Sequence, residues 1–304
     1  MTDAPTFEEL RWACASHNRA GRHEEALACA EEAWRRFPER RDFSWFLVAY
    51  ANAALGRPSG AIAALEAAEA ENRLWRAGLL RNPGFEPLAQ EPRFAAVLAR
   101  LRERIAACGF RPRLLVAKPD PSATDAPLLL GLHGATSVAD DYHRRWLPAV
   151  GLGCIVASVQ SSQPATESAF CWDDRDQVRR DLAAVLPEVP AHGEVVLAGF
   201  SQGAAIALEL ALAGDVVPAS AVIGVAPSYP PDTRFPEARL ALHVVILRGS
   251  EDDWGRSVPG TVEALRAAGH RVRVEEVPGL GHDYPDDFAD RLPALLAAAG
   301  LRAL

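Results

Sequence analysis

The chain has 304 residues, 49% of them hydrophobic and 24% charged, which is the texture of folded globular domains and excludes disorder over most of its length. The net charge of −8 carries no basic stripe, which argues against nucleic acid or an anionic membrane surface as a partner. No apolar run approaches the 18 or so residues that span a bilayer, and MTDAPTFEELRWACASH lacks the pattern of a secretory signal, so a cytoplasmic protein is expected.

The charge is unevenly placed. Residues 1–110 balance 15 basic against 15 acidic side chains, whereas residues 111–304 hold 17 and 25. The five cysteines, Cys14, Cys29, Cys108, Cys154 and Cys171, are odd in number and form no C-x-x-C pair. Reduced, buried thiols and no metal site follow, because no His/Cys cluster has ligand spacing.

Residues 1–110 read as helices only, with apolar positions recurring every three or four residues. GRHEEALACAEEAWRRFPE from Gly21 and GRPSGAIAALEAAEAEN from Gly56 are offset by 35 residues. At that offset Ala26 meets Ala61, Ala30 meets Leu65 and Ala33 meets Ala68. Small residues there let paired helices approach closely, glycine suits the turn, and Trp45 is placed to fill the gap between helices. Pro38 closes the first unit. This order resembles the tetratricopeptide repeat. The resemblance implies a concave face for a protein or peptide partner.

The texture changes in GFRPRLLVAKPDPSATDAP, which holds four prolines, and a domain boundary is expected at residue 110. Beyond it, short apolar runs alternate with helical periods. The runs are LLVAK (114–118), LLLGLHG (128–134), CIVASVQ (154–160), EVVLAGF (194–200), AVIGVAP (221–227), HVVILRG (243–249) and VRVEEVP (272–278). This alternation predicts an α/β fold, a mostly parallel sheet with helices on both faces, preceded by an all-α helical-repeat domain. Pro293 lies inside the last helical period and is expected to divide that helix.

The sharpest motif is Gly199-Phe200-Ser201-Gln202-Gly203, set between the strand EVVLA and an alanine-rich helix. G-x-S-x-G in a strand–turn–helix setting is a nucleophile elbow. Its turn is too tight for a Cβ at either glycine, and it lifts the serine hydroxyl to a helix N-terminus. A serine needs a base, and the base needs an acid to orient it. Asp252, in Ser250-Glu251-Asp252-Asp253, and His282, in Gly279-Leu280-Gly281-His282, follow strand ends in the order Ser, Asp, His. Asp253 and Glu251 remain alternatives for the acid. The backbone N–H of Gln202 and of Ala135, in Leu132-His133-Gly134-Ala135, are candidate oxyanion donors, which leaves His133 as a structural residue.

With these motifs, residues 111–304 resemble an α/β-hydrolase of the phospholipase/carboxylesterase type, close to acyl-protein thioesterases and dienelactone-hydrolase-like esterases. The resemblance implies a serine hydrolase without a cofactor that cleaves small-molecule esters or thioesters through Ser201, Asp252 and His282. Relatives run Gly-x-x-Asp after the strand, which from Gly249 selects Asp252. The segment SVQSSQPATESAFCWDDRD (158–176) resembles the family's substrate loop. Trp172, and Trp254 beside the acid loop, are therefore candidates to line the acyl pocket, and Asp173 and Asp174 to cap the next helix. Two other readings stand beside the esterase: a peptidase of the same fold, and a non-catalytic scaffold with a hydrolase-like domain.

Overall fold

The computed structural model describes residues 4–75, 80, 83–120, 122, 124–229 and 241–301. Residues 1–3, Pro121 and Ala123, which fall within segments quoted above, lie outside the described residues. The chain divides into two compact units: Met1–Phe110 with Pro164–Ala169, and Arg111–Gln163 with Phe170–Leu304.

The first unit is built of α1 (Phe7–Arg19), α2 (His23–Arg36), α3 (Arg41–Ala54), α4 (Pro58–Ala70) and α5 (Pro92–Cys108). Thr6 starts α1 with a capping box: its hydroxyl accepts the Glu9 N–H, and the Glu9 carboxylate accepts the Thr6 N–H. Gly21 and Gly56 close the first helix of each pair at φ +72° and +68°, where a side chain would be strained. The repeat seen in sequence therefore reappears as two helix–glycine–helix pairs, with α1 packed on α2, α2 on α3 and α3 on α4. Ala26, Ala30, Ala33, Ala61, Leu65 and Ala68 are all fully buried between these helices. Trp45 packs its ring 5.5 Å from that of Trp34.

The second unit is a seven-stranded sheet. Its strands are β1 (Arg113–Ala117), β2 (Leu128–Leu132), β3 (Ile155–Gln160), β6 (Val195–Phe200), β7 (Ala221–Val225), β8 (His243–Gly249) and β9 (Arg271–Val277). They lie in the order β1-β3-β2-β6-β7-β8-β9. Only β1 runs antiparallel to its neighbour; the other pairs are parallel. Each of the seven apolar runs in the sequence is one of these strands. Two-residue strands β4 (Gln163–Pro164) and β5 (Phe170–Cys171) form a separate small sheet that no sequence pattern announced.

Alternation along the strands builds two cores. Leu128, Leu130, Ile155, Leu197 and Ile246 pack with α7 (Arg175–Val185), α8 (Gln202–Ala213) and α9 (Val258–Ala267). Leu129, Val156, Val196, Ile223 and Val245 pack with α6 (Ala139–Trp146) and α10 (Phe288–Ala298). The expected division of the last helix does not occur, because α10 runs through Pro293. Burial of Leu292, Leu295 and Leu296 on both sides of the proline holds the turn that lacks its hydrogen bond.

Cys14, Cys154 and Cys171 are buried as expected, whereas Cys29 is half-buried and Cys108 is exposed at the end of α5. No helix among the described residues is long and apolar enough to cross a membrane.

The alanine contacts of the helical unit set a stability test. Ala61→Leu adds three carbons where the side chain has no exposed surface. It should lower unfolding stability by about 1–3 kcal/mol. Chemical denaturation of the two proteins measures this, and an unchanged midpoint would show that α4 is not closely packed.

Candidate active site

Four strand ends supply the site. β6 turns into α8 through Ser201. A Cβ on Gly199 would overlap the backbone of Gly203 and Ala204, and one on Gly203 would overlap the carbonyls of Leu132 and His133. Both glycines are thus forced by close approach. Ser201 itself sits at φ +52°, a strained conformation held by its N–H donating to the Val225 carbonyl at 2.9 Å. Gln202 is the first residue of α8, so no intrahelical carbonyl can accept its N–H.

β8 and β9 deliver a carboxylate and an imidazole. The Ser201 hydroxyl and His282 Nε2 are 2.8 Å apart. His282 Nδ1 lies 2.9 and 3.0 Å from the two carboxylate oxygens of Asp252. The Asp252 side chain is fully buried and that of His282 only 7% exposed. Asp252 also accepts the Trp254 N–H at 2.9 Å. Asp253, by contrast, is exposed and pairs with Arg256 at 3.0 Å, and Glu251 is exposed as well.

The two loops are stitched together before either side chain acts. Ser250 N–H donates to the Val277 carbonyl and Glu251 N–H to that of Leu280, each at 3.0 Å. The Ser250 hydroxyl accepts the Gly279 N–H at 2.9 Å. A Cβ on Gly249 would strike the Leu280 carbonyl, so the loops touch at backbone level. Behind His282, Phe200 packs at 5.2 Å between ring centroids and stacks on Tyr284 at 4.9 Å. The Trp146 indole donates to the Tyr284 hydroxyl at 3.2 Å, and burial raises that phenol well above its ordinary range. The sequence reading missed Phe200, Tyr284 and Trp146 as supports for the imidazole; the Tyr two residues after His282 was the available signal.

β2 contributes Leu132-His133-Gly134-Ala135, with Ala135 half-buried. His133 is completely buried. Its Nδ1 lies 2.8 Å from the Gly134 carbonyl, and its Nε2 lies 3.1 Å from Gln160 Nε2 and 3.3 Å from the Ser161 nitrogen. Gln160 Oε1 accepts the Ala139 N–H, which fixes its other end as a donor. Nδ1 therefore carries the proton and Nε2 accepts two hydrogen bonds. A second proton on Nε2 would break both of those bonds.

Trp172 requires a correction. Its side chain is fully buried rather than on an open wall. Its indole N–H donates to the His133 carbonyl at 2.8 Å, its ring lies 4.8 Å from the His133 ring, and its backbone N–H donates to Gln202 Oε1 at 2.9 Å. Gln202 Nε2 donates in turn to Asp173 at 2.7 Å. The stretch 172–173 thus ties the Gln202 side chain to the turn after β2. Asp174 alone accepts the Asp176 and Gln177 N–H groups and caps α7. Trp254 is 42% exposed with its ring 6.1 Å from that of His282, so it stands at the rim. Among the described residues no group of three or more His, Cys, Asp or Glu side chains could hold a metal.

Burial pushes the His133 imidazole down from 6.5 to about 4, against a smaller upward pull from its bond to the Gly134 carbonyl. The unfolded chain therefore binds a proton that the folded chain refuses. Stability from this group is complete above about pH 6.5 and is lost as pH falls toward 4, on the order of 3 kcal/mol across the interval. Denaturation of wild type and His133→Asn between pH 7.5 and 4.5 should give a shallower pH slope for the variant. Equal slopes would refute the buried neutral imidazole.

Residues 176–296 match the profile of the phospholipase/carboxylesterase family, a span that contains Ser201, Asp252 and His282 and does not reach the five helices before β1. Among solved structures, an uncharacterized protein from Bacillus cereus is 20% identical with a TM-score of 0.51, over 98% of this chain and 100% of that one. Esterase PE8 is 20% identical with a TM-score of 0.52, over 62% of this chain and 99% of its own. A dienelactone-hydrolase-like promiscuous phosphotriesterase from metagenomic libraries is 19% identical with a TM-score of 0.50, over 65% and 85%. No curated protein matches the chain. The sheet and its two layers of helices are an α/β-hydrolase fold.

Proposed function

We propose that the protein is a serine hydrolase that cleaves carboxylic esters or thioesters of small molecules through an acyl-enzyme, with Ser201 as nucleophile, His282 as base and Asp252 as the orienting acid. The observation that carries this reading is the unbroken line from the Ser201 hydroxyl through His282 to Asp252, at 2.8 Å and then 2.9 Å.

In the first step the Ser201 oxygen attacks the substrate carbonyl carbon while His282 Nε2 takes the hydroxyl proton. Asp252, paired with Nδ1, stabilises the imidazolium without taking its proton. The carbonyl oxygen becomes an oxyanion, for which the N–H groups of Gln202 and Ala135 are the donors in this reading. His282 then protonates the departing alcohol or thiol. Water, activated by the same imidazole, attacks the acyl group and frees Ser201. In this reading Trp254, exposed beside His282, meets the acyl or leaving group. No cofactor enters these steps. The helical unit is read as a tetratricopeptide-like accessory domain on its repeated helix–glycine–helix pairs.

Ser201→Ala should lower kcat/KM on short p-nitrophenyl esters by about 10³-fold or more, with the thermal midpoint retained. A fluorophosphonate should label wild type at Ser201 and fail on the variant. Activity surviving in Ser201→Ala would end the assignment.

The two neighbouring aspartates separate cleanly. Asp252→Asn should cost on the order of 10³–10⁴-fold in kcat, because the imidazole loses its orienting carboxylate. Asp253→Asn, at an exposed carboxylate paired with Arg256, should stay within about twofold. Similar losses in both would leave the acid elsewhere.

A further inference from the structure

A piece of chain from within the hydrolase sequence folds with the helical unit. Pro164–Ala169 leaves the sheet-bearing unit after Gln163 and rejoins it at Phe170. Its backbone closes into a tight turn, with the N–H groups of Ala165 and Thr166 donating to the Ala169 carbonyl at 2.7 and 3.0 Å. Thr166 is fully buried and forms an antiparallel bridge with Trp75.

The strap is anchored chiefly by a buried carboxylate. Asp42, in the first turn of α3, is 2% exposed. Its Oδ2 accepts the Thr166 hydroxyl at 2.7 Å and the Ser168 hydroxyl at 2.8 Å. Its own carbonyl accepts the Trp75 indole N–H at 2.6 Å. Glu167, between the two hydroxyl residues, accepts from Arg73 at 3.0 Å and from the Leu74 N–H at 2.9 Å. Removing the hydroxyl donors would leave a carboxylate buried without partners, a costly state that holds the strap in one place.

Two residues after Ser168 the chain enters the stretch that braces the active site. Phe170 and Ser137 exchange backbone hydrogen bonds at 2.9 and 3.4 Å, two residues from Ala135. Trp172 and Asp173 bond to His133 and Gln202 as described above. Two residues span at most about 7 Å, so a displaced strap has little slack before it pulls on Phe170.

We propose that Asp42 is a positioning residue for hydrolysis: by fixing Thr166 and Ser168 it fixes Phe170–Asp173 and so the two oxyanion donors, Ala135 and Gln202. The inference rests on the esterase reading for its catalytic consequence. Its mechanical part, the hold of Asp42 on Phe170–Asp173, stands without it.

The test uses the full chain and five proteins: wild type, Asp42→Ala, Asp42→Asn, Thr166→Val with Ser168→Ala, and the combination of that pair with Asp42→Ala. Active sites are counted by fluorophosphonate titration, so that misfolded protein does not enter kcat. Asp42→Ala should lower kcat per active site by about 10- to 100-fold, the scale of a misplacement near 1 Å, with KM within about threefold and the pH–rate midpoint unmoved. Asp42→Asn keeps an acceptor and should recover most of the rate. The combined variant should be no slower than the worse of its parents, because both act through one contact. Amide exchange over Phe170–Asp173 should quicken in Asp42→Ala and in the hydroxyl pair. If Asp42→Ala does not fold, the hydroxyl pair alone carries the same rate and exchange tests. A lowered thermal midpoint with kcat per site and exchange both unchanged would overturn the inference. Wild type without ester turnover would end the esterase reading instead, and the exchange result would then decide the mechanical part by itself.

Discussion

The second unit turns on the close approach of α8 to the ends of β2 and β6. There is no room for a Cβ between Gly203 and the Leu132 and His133 carbonyls, nor between Gly199 and Gly203. That approach forces Ser201 to positive φ, and it brings the first N–H of α8 beside the turn after β2. The position of Ser201 and of the turn after β2 is therefore set by backbone contact, before any polar side chain is considered. The remaining polar groups bind to this frame. His133 ties the β2 turn to Gln160 and Ser161, Trp172 ties it to Gln202, and the stitched loops after β8 and β9 bring the imidazole to the hydroxyl.

Much of this was legible in the sequence because the governing constraints are local or periodic. Continuous apolar runs such as CIVASVQ and HVVILRG mark strands buried on both faces, and each lies in the sheet within a residue of its run. The elbow glycines are legible for the reason just given. The serine, the histidine and the block of acidic residues could be found by chain order. Which of Asp252 and Asp253 faces His282 could not, since both follow the same strand and differ only in the direction the loop turns them. Asp252 turns inward to accept the Trp254 N–H, and Asp253 turns outward to Arg256.

Other parts had no signal. Trp172 reads as a pocket residue because tryptophan near a substrate loop so often is one. Its burial depends on a hydrogen bond to a carbonyl 39 residues earlier, which no spacing rule captures. The strap PATESA carries neither period nor motif, and its partner Asp42 reads as an ordinary acidic residue in the first turn of a helix. Pro293 reads as a helix break because its local penalty is real, but three buried leucines in the same helix outweigh it.

The strap gives the molecule an unusual connectivity. An accessory domain joined through one linker can be lost, gained or exchanged as a cassette. Here the chain passes between the two units three times, after residues 110, 163 and 169. A cut at the first crossing would leave Thr166 and Ser168 without the carboxylate that accepts their hydroxyl protons, inside a sequence otherwise belonging to the sheet. The helices therefore cannot be moved as a cassette cut at residue 110: a graft that kept the Asp42 contacts would have to bring the six residues 164–169 from the middle of the sheet-bearing sequence.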